Sequence, residues 1–119
     1  MDRGDLDRVR HMKRYCEDIA GAIARFGDSY DIFAQDIDFC NSVSMSIMQI
    51  GELSSGLSDA FRDVTRAQMP WGLIRGMRNR FAHVYVTMDK DDIWETAKQD
   101  IPNLLRFCES IIEEAASKT

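Results

Sequence analysis

The chain has 119 residues, 45% of them hydrophobic and 29% charged, a balance that excludes intrinsic disorder and fits one globular domain over 1–119. That length is enough to bury one ordinary hydrophobic core. The formal net charge of −5 excludes generic affinity for polyanions, so any nucleic-acid chemistry has to rest on a concentrated basic patch.

No apolar run approaches the roughly 18 residues needed to span a bilayer, and the charged start Met1-Asp2-Arg3-Gly4-Asp5 does not read as a secretory signal. No membrane partner is expected. Cys16, Cys40 and Cys108 are odd in number and widely spaced, each in an apolar-periodic context. They predict free, buried thiols and a cytoplasmic location.

Val9, Met12, Cys16, Ile19, Ile23 and Phe26 recur at three- and four-residue steps, predicting a helix over 5–26 that Gly27-Asp28-Ser29 ends. Residues 30–35 form a short helix carrying Ile32 and Phe33 toward the core. Asp36 is a plausible N-cap for a helix over 37–53, with Phe39, Val43, Ile47 and Ile50 as its stripe. Ser54-Ser55-Gly56 breaks that pattern, and Ser58-Asp59 starts a brief helix through Val64. Gln68-Met69-Pro70-Trp71 is a turn, and Pro70 begins a helix over 71–83. Asp89-Lys90-Asp91-Asp92 caps a last helix over 93–116, with Ile101, Leu105, Cys108 and Ile112 on its buried side. Pro102 should kink or break it. Trp71 and Trp94 read as packing residues, and Met45, Met48 and Met77 as core or dimer filler. No strand period competes. The fold expected is all-α, an antiparallel up-down bundle of four to five helices.

At about 100° per residue, Ile74, Met77, Phe81 and Val84 gather on the core face of the 71–84 segment. His83 falls roughly 140° from the centre of that face and points outward. Arg75, Arg78 and Arg80 form a basic stretch without an acid, which meets the electrostatic requirement above. Histidine works as a general acid or base near neutral pH, and arginine grips a phosphate with a bidentate fork. Together they suffice for RNA cleavage without metal, the ribose 2′-hydroxyl attacking its own phosphate. Arg78 and His83 also lie roughly 140° apart on a straight helix. They converge only if the helix distorts, or if a two-fold dimer opposes two copies across one cleft. The dimer is the favoured reading. His11 and His83 are remote in sequence and no Cys-x-x-Cys or His-x-x-x-His spacing occurs, so no metal and no cofactor is expected. Asp89, Asp91 and Asp92 lack the glycine and terminal glutamate of a calcium loop, and fit a helix N-terminus instead.

Arg78-x4-His83-x-Tyr85 resembles the signature of HepT-like toxins of the HEPN ribonuclease superfamily. Ile50-Gly51-Glu52-Leu53, Met69-Pro70-Trp71, Gly76-Met77-Arg78-Asn79-Arg80, Ile93-Trp94-Glu95-Thr96 and Asp100-Ile101-Pro102-Asn103-Leu104 follow the same family's pattern, in order. The resemblance implies a HEPN-like helical homodimer whose two motifs line a shared cleft. Arg78 and His83 would be its catalytic pair and Asn79 a supporting residue. Glu52 is a candidate to orient them, against the plain reading of a surface carboxylate. Arg75 and Arg80 would bind RNA phosphate. The resemblance further implies a cognate minimal nucleotidyltransferase antitoxin that attaches AMP to Tyr85, which otherwise reads as a half-buried aromatic. The alternatives are a non-enzymatic helical partner and AMP acceptor of a nucleotidyltransferase, and a bare dimerisation module.

Overall fold

The computed structural model describes residues 1–76 and 89–118. Helix α1 (Arg3–Phe26) starts at Asp2, whose carboxylate accepts the Gly4 N–H at 2.7 Å. It stops at Gly27, which sits at φ +126° and ψ +140°, a region essentially reserved for glycine. The Gly27 N–H still donates to the Ile23 carbonyl at 2.9 Å. Ser29 caps the short α2 (Tyr30–Gln35). Asp36 then serves two helices at once. Its N–H closes α2 on the Ile32 carbonyl, while its carboxylate accepts the Asp38 and Phe39 N–H groups at 3.0 and 3.1 Å to open α3 (Ile37–Ser55). Ser58 caps α4 (Asp59–Thr65) by accepting the Phe61 N–H at 3.2 Å.

Pro70 begins the next helix as expected: its carbonyl accepts the Leu73 and Ile74 N–H groups, and residues 71–76 (α5) are helical. The final helix departs from expectation. It starts at Lys90 rather than Ile93, because Asp89 is the residue that caps it, accepting the Asp92 N–H. This α6 (Lys90–Glu95) passes through a π-helical turn, Thr96–Asp100, into α7 (Ile101–Ser117). Pro102 lies in the first turn of α7, directly after that π-helical turn, so the regular α-helix expected over 93–116 is interrupted where the proline predicted.

The apolar stripe of α1 makes it the central helix. Val9, Met12, Cys16 and Ile19 are at most 1% exposed and pack between α3 and α7. Both neighbours run antiparallel to α1. Asp5 at its start bonds Ser58 just beyond the end of α3, and Asp28 just past its end pairs with Lys98 just before α7. At that second end Phe33, Phe39, Phe26 and Trp94 form one aromatic cluster, with Phe26 stacked on Phe39 at 4.9 Å and Phe33 against Trp94 at 5.1 Å. Lys90 ties α6 to α2 by donating to the Ala34 carbonyl at 2.7 Å. A second cluster joins Phe61 of α4, Trp71 of α5 and Phe107 of α7. Each fully buried ring contributes roughly 1.5–3 kcal/mol. Among the described residues there is no strand, and the all-α antiparallel bundle is the fold. No helix among them is long and apolar enough to cross a membrane.

All three cysteines are free and buried. Burial pushes the Cys108 thiol up to about 12, helped by Glu109, and drives Cys16 higher still, helped by Cys108. These are inert packing groups. One apolar residue runs against the sequence reading: Ile32 is 43% exposed, leaving Phe33 as the residue α2 buries. Met45 is 49% exposed on α3, which excludes the core and leaves the dimer surface of the two places read for it. Met48 is half-buried, and Met77 lies outside the described residues.

Candidate functional site

Arg78, Asn79, Arg80, His83 and Tyr85 lie outside the described residues. The structure describes how the chain is delivered to them. Thr65, the last residue of α4, is buried and uses its hydroxyl twice. It donates to the Phe61 carbonyl at 2.7 Å and accepts the indole N–H of Trp71 at 2.9 Å. Met69 is buried beside this bond, and the Met69 carbonyl accepts the Trp71 N–H. Trp71 and Ile74, three residues apart, turn inward at 5% and 4% exposure, so one face of α5 is fixed against α4 and α7. Arg75, next to Ile74, is consequently exposed. Ile74 is inward as the helical period assigned it, while Met77, Phe81, His83 and Val84 lie outside the described residues.

Glu52 is exposed on α3, on the side turned away from the buried Ile47, Ile50 and Ser54. Met45, seven residues earlier and so nearly in line with it, shares that outward side. Both are exposed residues of α3. Glu52 is thus not a core residue, and an outward position is what a cleft role requires of it.

Beside Arg75, residues 68–74 and the first half of α7 enclose a groove of about 520 Å³. Met69, Ile74, Leu104 and Phe107 form its apolar wall, while Gln68, Asn103 and Arg106 supply polar groups at its edges. Its volume is within the range of small-ligand clefts, and its lining is mostly apolar. Arg106 and Asn103 are hydrogen-bonded to each other, which holds the guanidinium at the edge.

The acidic cluster of the sequence reading has a local use. Asp89 caps α6, Asp91 and Asp92 lie in its first turn, and Asp91 accepts a hydrogen bond from the Tyr30 hydroxyl. That bond, with the nearby carboxylates, pushes the Tyr30 phenol up to about 12. Among the described residues no three His, Cys, Asp or Glu side chains gather as a metal site would need.

Sequence reasoning missed three polar residues. Thr65, the anchor of Trp71, gave no local signal. Asp5 is 3% exposed and accepts both the N–H and the hydroxyl of Ser58, at 2.8 and 2.6 Å. It looked like any first-turn acid. Arg62 was also passed over. It donates to the Ser54 and Ser55 carbonyls, satisfying the end of α3.

The antiparallel all-α bundle is consistent with a HEPN-like helical bundle. Residues 12–111 match the family described as ribonuclease HepT-like, and the chain belongs to that family. A protein of Thermococcus cleftensis named "Probable ribonuclease HepT" is 32% identical over 104 residues, covering 80% of this chain and 90% of its own. A "Putative RNase" of Caldanaerobacter subterraneus subsp. tengcongensis is 28% identical over 106 residues, or 89% of this chain and 92% of its own. A shorter match, 36% over 50 residues, links it to a "Putative RNase" of Methanocaldococcus jannaschii. No solved structure matches the chain.

Proposed function

We propose that this protein is the toxin of a toxin–antitoxin pair, a single-domain cytoplasmic endoribonuclease that works as a homodimer without a metal. The observation that carries the proposal is membership of the HepT-like ribonuclease family over residues 12–111, a span that includes Arg78-x4-His83-x-Tyr85. Three exposed residues are compatible with a shared cleft: Arg75 on α5, and Glu52 and Met45 on α3.

In this reading His83 takes the proton of a ribose 2′-hydroxyl, whose oxygen attacks the adjacent phosphorus. The bond from phosphorus to the 5′-oxygen breaks, leaving a 2′,3′-cyclic phosphate and a 5′-hydroxyl once that oxygen is protonated. Arg78 stabilises the charge that builds on the phosphoryl oxygens. Asn79 and Glu52 orient the pair, and Arg75 and Arg80 hold neighbouring phosphates. A minimal nucleotidyltransferase antitoxin silences the site by attaching AMP to Tyr85, which sets a bulky anion where substrate phosphate would bind.

The test is cleavage of RNA in excess EDTA by wild-type protein and by His83→Ala and Arg78→Ala, with growth of cells expressing each. Loss of cleavage and of growth inhibition in both variants is expected. Intact toxicity in both would overturn the assignment. Mass spectrometry of protein co-expressed with the nucleotidyltransferase should show added AMP that Tyr85→Phe abolishes. Modification without any cleavage by the unmodified protein would favour a non-enzymatic AMP acceptor instead.

A further inference from the structure

The buried thiols are too shielded to react. The feature left over is electrostatic. Residues 8–14 read Arg-Val-Arg-His-Met-Lys-Arg, four permanent cations in seven residues with no acid, in a chain of net charge −5. Arg3 lies just upstream. The nearest carboxylates are Asp5 and Asp7, with Glu17 and Asp18 exposed one turn beyond Arg14 but forming no ion pair with it among the described residues. Asp5 is turned inward onto Ser58. Asp7 meets Arg10 at 3.8 Å with both side chains more than half exposed, a surface pair worth about 0–1 kcal/mol that a phosphate can replace.

The helical period sorts these cations. Val9, Met12 and Cys16 point into the bundle, so Arg3, Arg10 and Arg14 project from the opposite side of α1 in one row, and all three are exposed. The row extends about 16 Å at 1.5 Å per residue. Arg8 is not part of it, because its guanidinium donates to the Gly4 carbonyl and lies over Gly56. Lys13 is half-buried and acts on the Cys108 thiol instead. Among the described residues Arg3 and Arg14 have no ion-pair partner.

We infer that the outer face of α1, through Arg3, Arg10 and Arg14, is a second phosphate-binding track along which single-stranded RNA runs outside the motif segment. Charge complementarity favours a polyanion. A protein partner would need a desolvated aromatic or aliphatic anchor at its centre, and within the described length of α1 no large hydrophobic residue is strongly exposed. A nucleic-acid backbone needs only spaced cations. That the polyanion is RNA rests on the ribonuclease reading above. Such a track gives an acidic protein a grip on its substrate that does not depend on the cleavage site.

The test uses full-length protein carrying His83→Ala, so that the probe survives, and a fluorescent single-stranded RNA of about 20 nucleotides. Its Kd is measured by anisotropy across a salt series. Replacing Arg3, Arg10 and Arg14 together by glutamine should weaken binding roughly 10-fold at moderate salt and flatten the log–log salt slope by about 2, close to 0.7 for each phosphate that is no longer neutralised. Lysine at the same three positions should restore most of both. An unchanged slope in the glutamine variant, or a lysine variant that behaves like it, overturns the track. Cleavage by protein with His83 intact, assayed in parallel, separates the two claims. RNA cut with an unchanged slope removes the track and keeps the ribonuclease. RNA uncut with a flattened slope does the reverse.

Discussion

Replacing Thr65 by valine isolates the bond that seats α5, the helix preceding the motif in the chain. The two side chains are nearly isosteric, so the change deletes a hydroxyl without opening a cavity. It leaves the Trp71 indole N–H, now at 2.9 Å from its acceptor, buried beside Phe61 and Phe107 with no partner. An orphaned buried donor costs about 1–3 kcal/mol. A loss of about 2 kcal/mol is therefore expected, or about 10 °C in Tm for a domain of this size. Urea unfolding followed by far-UV circular dichroism measures it, with the slope m unchanged. A double-mutant cycle makes the attribution specific. In a Trp71→Phe background the N–H is gone, and Thr65→Val should then cost less than about 0.5 kcal/mol. If Thr65→Val costs the same in both backgrounds, the hydrogen bond is not what holds Trp71. A cost near zero in the wild-type background would refute the reasoning outright.

Asp5→Ala removes the acceptor of two Ser58 bonds in a nearly buried position, and should destabilise the chain by about 2–3 kcal/mol in the same assay, because bonds to a charged group are the stronger ones. Gly27→Ala should cost about 1–3 kcal/mol, since φ +126° strains any side chain and the added carbon would sit 2.8 Å from Ile32 Cδ1. Stability should fall on the alkaline side. The folded-state pKa values of Cys16 and Cys108 are raised, so their contribution is complete below the unfolded thiol value near 9 and is lost as pH rises toward 12. Tyr30, also raised, acts in the same direction above about 10. Urea midpoints at pH 8 and pH 11 check this, and Cys108→Ala should reduce the drop between them.

The helices were legible because their signals are local. A cap and its N–H lie within one turn of each other, so Asp36, Ser58 and Pro70 mark helix starts without reference to the rest of the chain. The three- and four-residue stripe of α1 similarly names its buried face before any partner for it is known. The chemistry of Arg78, Asn79, Arg80, His83 and Tyr85 was likewise read from residue types and spacing, while their geometry lies outside the described residues. What required the tertiary structure is whatever depends on a distant element. Asp5 and Ser58 are 53 positions apart, and only the antiparallel packing of α1 beside α3 turns an ordinary first-turn acid into a buried acceptor. Thr65 became the anchor of Trp71 only once the turn at Pro70 folded α5 back on α4. Pro102 marked an interruption of the last helix, but only the structure gave its form, a π-helical turn just before α7, and Ile32, apolar by type, was left outside. The cations of residues 8–14 were plain in the sequence. Which of them remain available was decided by packing, since Arg8 and Lys13 lean on the bundle while Arg10 and Arg14, like Arg3 upstream, face outward.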